Sequence, residues 1–337
     1  MKLIDLRSDT VTKPSIAMKK AMLNAAVGDD VFSEDPTINK LESIASDMFN
    51  TEDAIFAASG TQTNLLALLT HCSRGDEYIV GQDAHTYKYE AGGAAVLGSI
   101  QPQPIDFEKD ATLNLKKIAE VIKPNNFHFA RTKLLCLENT KAGKALPLKY
   151  LKDVHIFANK NKLKTHLDGA RIFNAAIQCG VEVRKITKGF NSISVCLSKG
   201  LGAPVGSLLC ASHAEIKAAR RWRKMLGGGM RQAGILAAAG IYALENNIQK
   251  LAKDHDNAKL LAQGLATIQE LEVMSANTNM VFIKVAKNSI AKLVSFLKNQ
   301  GIIISKAETI RLVTHLDINK NDIKTTINAF KNFYKKK

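Results

Sequence analysis

With 337 residues, 46% hydrophobic and 23% charged, the chain is long enough for one large domain and a smaller one, and its composition is that of an ordinary folded protein. The net charge of +16 comes from lysines spread along the chain and densest near its end (Lys324, Lys331, Lys335 to Lys337). Aromatics make up only 6% and no basic block is interleaved with them, which argues against a nucleic-acid partner. No run of about 18 apolar residues occurs, so no membrane span is expected.

Met1 to Thr12 carries Lys2, Asp5, Arg7 and Asp9 and no apolar core, so it does not read as a signal peptide. Residues 1–45 read as an N-terminal arm on the surface of the large domain, with little core of its own. From Thr51 to Ala211 short apolar runs alternate with helical patterns. Ala54–Ala57, Tyr78–Val80, Leu134–Leu137, Lys164–Leu167, Ser192–Leu197 and Ser207–Leu209 read as buried strands, and Thr63–Cys72, Leu115–Ile122 and Leu148–Asn161 as the helices between them. That order predicts an α/β domain on a mostly parallel sheet over 46–245. Arg231 to Leu265 is alanine-rich and reads as one long connecting helix. Over 246–337 the texture changes. Strands are expected at Asn279–Val285 and Ile310–Val313 and helices at Ile290–Asn299 and Asn321–Tyr334, a small α+β domain. The five cysteines are scattered, with no C-x-x-C pair, which favours reduced thiols and a cytoplasmic location.

Three segments carry chemistry. Ser198-Lys199-Gly200-Leu201-Gly202 places a lysine just after a buried strand and before a glycine turn. A lysine at such a strand end can project into a crevice, where partial desolvation makes it a Schiff-base nucleophile. Thr165-His166-Leu167-Asp168-Gly169-Ala170-Arg171 places a carboxylate at an earlier strand end. Pyridoxal phosphate (PLP) requires a carboxylate at its pyridine nitrogen, so Asp168 and Lys199 suit opposite sides of one flat ring. Ser59-Gly60-Thr61-Gln62-Thr63-Asn64, between a strand and a helix, offers backbone N–H groups and a hydroxyl to a phosphate. The same residues would also cap any helix.

These segments stand among others that together resemble the low-specificity L-threonine aldolases. The further matches are Asp5-Leu6-Arg7-Ser8-Asp9-Thr10-Val11-Thr12, Val27-Gly28-Asp29-Asp30, His85 with Tyr89-Glu90-Ala91-Gly92-Gly93, Leu137-Glu138-Asn139-Thr140, Arg223 to Gln232, and Arg311-Leu312-Val313-Thr314-His315. They run in order over nearly the whole chain. The resemblance implies an aspartate aminotransferase-like fold, PLP as cofactor, an amino acid as the small-molecule substrate, and a homotetramer built as a dimer of dimers.

It also implies roles. Lys199 holds the cofactor as an imine, Asp168 pairs with the pyridine nitrogen, and His85 stacks on the ring. Gly60 and Thr61 hold the phosphate, with Arg231 reaching from a neighbouring subunit. Arg171 and Arg311, helped by Ser8, grip the substrate carboxylate, a task suited to a planar guanidinium. His128 corresponds to a histidine near the substrate hydroxyl, where it or a water it orients takes a proton. His166, two residues before Asp168 on the same strand face, reads as a supporting core histidine. No metal-ligand cluster is expected.

The implied reaction is cleavage of L-threonine or L-allo-threonine to glycine and acetaldehyde. Two departures from the family pattern stand out. Phe32-Ser33 replaces a Tyr-Gly pair and Lys141 replaces a histidine, which bears on rate and stereochemistry more than on reaction type. Another PLP reaction on the same scaffold, β-elimination or amino transfer, is the alternative. A catalytically idle PLP-binding protein is the reading from another class, with the +16 charge as its support.

Overall fold

The structure, a computed structural model, describes residues 2–335. Met1 and the last two lysines of the basic tail, Lys336 and Lys337, lie outside the described residues. Along the chain the strands are β1 (Ile4–Asp5), β2 (Asp53–Ala57), β3 (Asp76–Gly81), β4 (Gln101–Ile105), β5 (Arg131–Glu138), β6 (Lys164–Asp168), β7 (Ser192–Cys196), β8 (Ser207–Ala211), β9 (Glu272–Asn277), β10 (Met280–Lys284), β11 (Ile302–Ile303) and β12 (Thr309–Val313). The α-helices are α1 (Ile16–Leu23), α2 (Pro36–Phe49), α3 (Gly60–His71), α4 (His85–Lys88), α5 (Gly93–Gly98), α6 (Leu115–Val121), α7 (Leu148–Lys160), α8 (Ile172–Cys179), α9 (Val183–Thr187), α10 (His213–Met225), α11 (Gly234–Asn246), α12 (Leu251–Leu265), α13 (Ile290–Asn299) and α14 (Lys320–Lys335). They form two compact units. The larger comprises Pro14–Ser198 and Ala203–Glu245, and the smaller comprises 2–13, Lys199–Gly202 and 246–335.

The larger unit is built on a seven-stranded sheet in the order β2-β8-β7-β6-β5-β3-β4. β3, β4, β5, β6 and β7 pair in parallel, while β8 runs antiparallel to both β7 and β2. Being antiparallel to β8, β2 points the same way as β7. The carboxyl ends of β2, β3, β5, β6 and β7 therefore share one edge of the sheet, where ligands bind in α/β folds. β3, β7 and β8 are buried at every position, because helices cover both faces of the sheet. Each carries buried apolar residues, Tyr78 to Val80 in β3, Ile193 and Val195 in β7, and Leu208 to Cys210 in β8, beside polar residues that are buried as well.

β4 escaped the sequence reading because it is Gln-Pro-Gln-Pro-Ile. It sits at the sheet edge beside β3 alone, the position where a strand tolerates residues that lack an N–H. α3 begins three residues before its apolar run, because the Ser59 hydroxyl accepts from the Gln62 N–H and starts the helix at Gly60.

The N-terminal residues do not form a surface arm of the large domain. Residues 2–13 group with the smaller unit, where β1 pairs in parallel with β11. Residues 36–49 form α2, capped by Asp35 with Pro36 in its first turn, and this helix buries Ile38, Leu41, Ala45 and Phe49. Its Glu42 accepts the Phe56 N–H at 2.7 Å and an Arg220 N–H at 2.6 Å, so the helix is a core element pinned to β2.

The expected continuous helix over Arg231–Leu265 is also corrected. α11 ends at Asn246, a short 3-10 turn spans Ile248–Lys250, and α12 starts at Leu251. The Asn247 side chain turns to donate to the Leu201 carbonyl at 2.8 Å, and asparagine competes readily with a helical backbone.

The smaller unit has an antiparallel sheet in the order β12-β10-β9. α12, α13 and α14 contribute Leu261, Leu265, Leu293, Leu297, Ile323 and Phe330 to its own core. No helix among the described residues is long and apolar enough to cross a membrane.

Candidate active site

Asp168 closes β6 and is only 3% exposed. Its Oδ1 accepts the Ala170 N–H at 3.0 Å and its Oδ2 accepts from the Asn64 amide at 3.0 Å. The same Asn64 nitrogen donates to Glu90 Oε1 at 2.8 Å. Glu90 Oε1 also meets His85 Nδ1 at 2.8 Å. His85 begins α4, just past β3, and its backbone N–H donates to Glu138 Oε2 at 2.9 Å. Glu138 ends β5 and is in register with Asp168. The parallel pairing of β3, β5 and β6 thus delivers one histidine and three carboxylates to a single edge. Ligand atoms of His85, Glu90 and Asp168 all lie within 4.8 Å of one another.

The electrostatics follow from burial. Desolvation, reinforced by the nearby Asp168 charge, raises the Glu90 carboxyl above its usual range, although hydrogen bonds from His85 and Asn64 pull the other way. Burial, with Asp168 adding to it, also raises Glu138, opposed by Lys141 and His85. Lys141, at the position where the family pattern has histidine, reaches Glu138 Oε2 at 3.5 Å, donates to the Asp83 carbonyl, and lies 5.1 Å from the centre of the Phe107 ring.

Beneath Asn64 the polar chain continues inward. Asn64 Oδ1 meets His166 Nε2 at 3.1 Å, His166 Nδ1 meets the Ser192 hydroxyl at 2.8 Å, and that hydroxyl meets His71 Nε2 at 2.8 Å. Neither Asn64, Glu90, Glu138, Ser192 nor His71 received a role from the sequence. Asn64, Glu90 and Glu138 do lie inside the matched segments, and their closeness in sequence to Thr61, Tyr89 and Asn139 was the available signal.

Gly60 and Thr61 form the first turn of α3, at the carboxyl end of β2. A Cβ on Gly60 would stand 2.6 Å from Cys196 Sγ, so only glycine lets this backbone approach β7 so closely. Arg171 follows Asp168-Gly169-Ala170 and precedes α8. Gly169 is likewise confined, since an added Cβ would lie 2.7 Å from the Ser194 carbonyl oxygen.

In the smaller unit, Lys199 heads a turn closed by the Gly202 N–H donating to the Lys199 carbonyl at 2.8 Å, with Gly202 at φ +79°. The Lys199 side chain is half-buried. Ser8 caps the short 3-10 turn at Asp9–Val11, and Arg311 lies on β12 opposite Phe282, one Nη donating to the Arg7 carbonyl at 3.4 Å.

Two expected residues lie at the surface of the chain. His128 is exposed, ahead of the first residue of β5, whereas Glu138 ends that strand. An eight-residue strand separates them by more than about 20 Å. His128 stacks on the exposed Phe127 ring at 4.0 Å and is not part of the constellation around Asp168 within the same chain. Arg231 is exposed and its guanidinium pairs with Asp29 of its own chain at 2.9 Å.

Comparison with known proteins identifies the family and the fold. The family model described as beta-eliminating lyase matches residues 5–288. The low specificity L-threonine aldolase of Escherichia coli is 56% identical over 321 residues, covering 95% of this chain and 96% of its own. Low-specificity L-threonine aldolase 1 of Arabidopsis thaliana is 42% identical over 98% of this chain and 96% of its own. Among solved structures, a threonine aldolase of Leishmania major superposes with a TM-score of 0.84 at 20% identity, over 98% of this chain and 99% of that one.

Proposed function

Because the chain belongs to the low-specificity L-threonine aldolase family, within the range matched by the beta-eliminating lyase model, we propose the following account of its reaction and of the residues that carry it. The chain is a carbon–carbon lyase that cleaves threonine in the retro-aldol direction, giving glycine and an aldehyde. The finer reading is that L-threonine and L-allo-threonine are both substrates, that the aldehyde is acetaldehyde, and that PLP is the cofactor.

The residues fit PLP. Asp168 is a buried carboxylate held by two donors, the partner a protonated pyridine nitrogen requires. Gly60 and Thr61 open a twelve-residue helix at a backbone approach that a Cβ would fill, which suits a phosphate. Lys199 supplies a primary amine on a glycine turn. When bound, PLP supplies an aldehyde that condenses with amines and a pyridinium ring that accepts electron density from the breaking Cα–Cβ bond.

The chain's own residues do the rest. Arg171 and Arg311, with Ser8, grip the substrate carboxylate and set which bond at Cα faces the ring. His85, with Nδ1 donating to Glu90, keeps Nε2 as the basic nitrogen and is the in-chain candidate for moving the β-hydroxyl proton. His128, placed away from Asp168, acts only in a site to which a second copy lends its loop.

Assembly as a homotetramer is supported by exposed apolar side chains on the larger unit, among them Ile16, Leu23, Val96 and Phe127, each more than 70% exposed. A cytoplasmic location and a part in glycine formation rest on the five free cysteines and on the reaction.

The buried Asp168 carboxylate beside His85 is the observation that carries this account. The test is the visible spectrum of the protein with PLP, together with coupled detection of aldehyde from both threonine isomers. An imine band that Lys199→Ala abolishes, with glycine and acetaldehyde formed, is the expected result. A band with ammonia and a keto acid as products would move the chain to β-elimination, and no band would remove the cofactor.

A further inference from the structure

The polar chain beneath Asp168 has one consistent assignment of protons. Both N–H bonds of the Asn64 amide are used, one on Glu90 and one on Asp168. The reverse orientation would aim the amide oxygen at two carboxylates. With the amide oxygen turned inward, His166 Nε2 must donate to it. His166 is neutral, because burial above all, with His71 adding, pushes it down to about 3. A neutral ring with its proton on Nε2 has an accepting Nδ1, so the Ser192 hydroxyl donates to it. The Ser192 oxygen is then left to accept from His71 Nε2. His71 is also neutral, driven to about 4 by burial, with Lys164 lowering it and Glu215 opposing. Its remaining nitrogen lies 3.7 Å from Glu215 Oε1. His166, Ser192 and Asn64 are all essentially buried, so water cannot substitute for a missing partner.

We propose that His166 is a positioning residue for Asp168. In the Nε2–H tautomer, with the Ser192 hydroxyl on its Nδ1, it donates to the Asn64 amide oxygen so that the NH2 edge serves Asp168 and Glu90 together. The proposal rests on the reading of Asp168 as the residue that meets the pyridine nitrogen. Without His166 the amide is free to turn over and present its oxygen to Asp168, which would replace a donor with a lone pair and disturb the pairing of that carboxylate with a protonated nitrogen. His166 touches neither substrate nor cofactor in this scheme.

Two measurements on the full chain test it. Neutron diffraction on crystals of the protein with PLP locates the protons. Deuterium on His166 Nε2 and on His71 Nε2, with the Asn64 NH2 edge toward Asp168, is expected, and deuterium on His166 Nδ1 overturns the proposal. The second compares His166→Phe, which removes both contacts, with His166→Gln, whose amide keeps an N–H for Asn64. His166→Phe is expected to shift the pH profile of kcat, and of the PLP absorption band, by about one unit or more, a tenfold change in an acid constant. His166→Gln is expected to stay within a few tenths of a unit of the parent. Equal shifts in both variants, or none in either, would overturn it. Should His166→Phe fail to fold, the neutron result still decides. Failure of the parent to bind PLP would instead remove the cofactor reading, and the proton positions on His166 and Asn64 would separate the two failures.

Discussion

Arg223 and Asp30 form an ion pair of 2.7 Å with both side chains almost completely buried, at 6% and 2% exposure. Arg223 also donates to the Phe56 carbonyl at 2.6 Å, and the Asp30 N–H donates to the Arg231 carbonyl. The pair explains why Val27-Gly28-Asp29-Asp30 and the Arg223 to Gln232 segment occur together. They are two halves of one buried contact that fixes the approach to α2 against β2 and α10. Asp30→Asn would leave the buried guanidinium without its counter-charge, with the Phe56 carbonyl as a neutral partner. We expect a loss of roughly 3–5 kcal/mol in urea unfolding. Replacing both residues with apolar ones of similar volume should recover most of it.

Ser33 sits at φ +62°, in the left-handed region, at the position where the family pattern carries glycine. An L-residue held there costs about 1–2 kcal/mol, partly offset by the greater freedom of an unfolded glycine. Ser33→Gly should therefore stabilise the chain by about 1 kcal/mol, read as a raised urea midpoint at an unchanged slope. A lowered midpoint would mean that the serine makes a contact worth more than its backbone strain.

Gly60→Ala would bring a methyl group against Cys196 Sγ and push the first turn of α3 off β7. PLP titration should show at least about tenfold weaker binding, or about 1.4 kcal/mol. Cys196→Ala in the same chain should restore most of the affinity, because the clash is with the sulfur. Absence of rescue would place the damage elsewhere.

Glu138 supplies a pH dependence of stability. Burial, with Asp168 adding, raises its folded-state carboxyl above the ordinary 4.5. The native state thus binds this proton more tightly than the unfolded chain does. The contribution of Glu138 is most favourable below about 4.5 and is lost as pH climbs through the raised folded value. Glu138→Gln, which keeps an oxygen for the His85 N–H, should gain stability relative to the parent as pH rises from 4.5 to 8. Urea unfolding at several pH values measures this, and a constant difference would show that the carboxyl titrates normally.

The strands of the larger sheet were readable because most of them carry a short buried apolar stretch, such as Tyr78–Val80 and Leu134–Leu137, bounded by polar residues or glycine. β4 was not, since an edge strand tolerates the two prolines that elsewhere argue against pairing. α2 was hidden for a different reason: its apolar positions are spaced for one face only and are diluted by polar residues. For the site, Asp168, Gly60 and His85 were legible because each is anchored to a strand end with a local glycine or motif. Asn64 lies inside a matched segment but nothing within it singles the residue out, and Ser192 carries no such mark. An amide on a helix or a serine on a strand is unremarkable until the fold brings Asp168 and His166 beside it. His128 also corresponds to a family histidine, yet within its own chain the strand between it and Glu138 carries it to the other end of the sheet.

The prolines of β4 have a consequence for the sheet's exposed border. Pro102 and Pro104 are two residues apart, so their missing N–H groups fall on the same side of the strand, away from β3. A foreign strand arriving at that border would find acceptors without the matching donors. On its β4 side the larger sheet therefore ends where its ladder cannot be extended, which protects that border from edge-to-edge pairing.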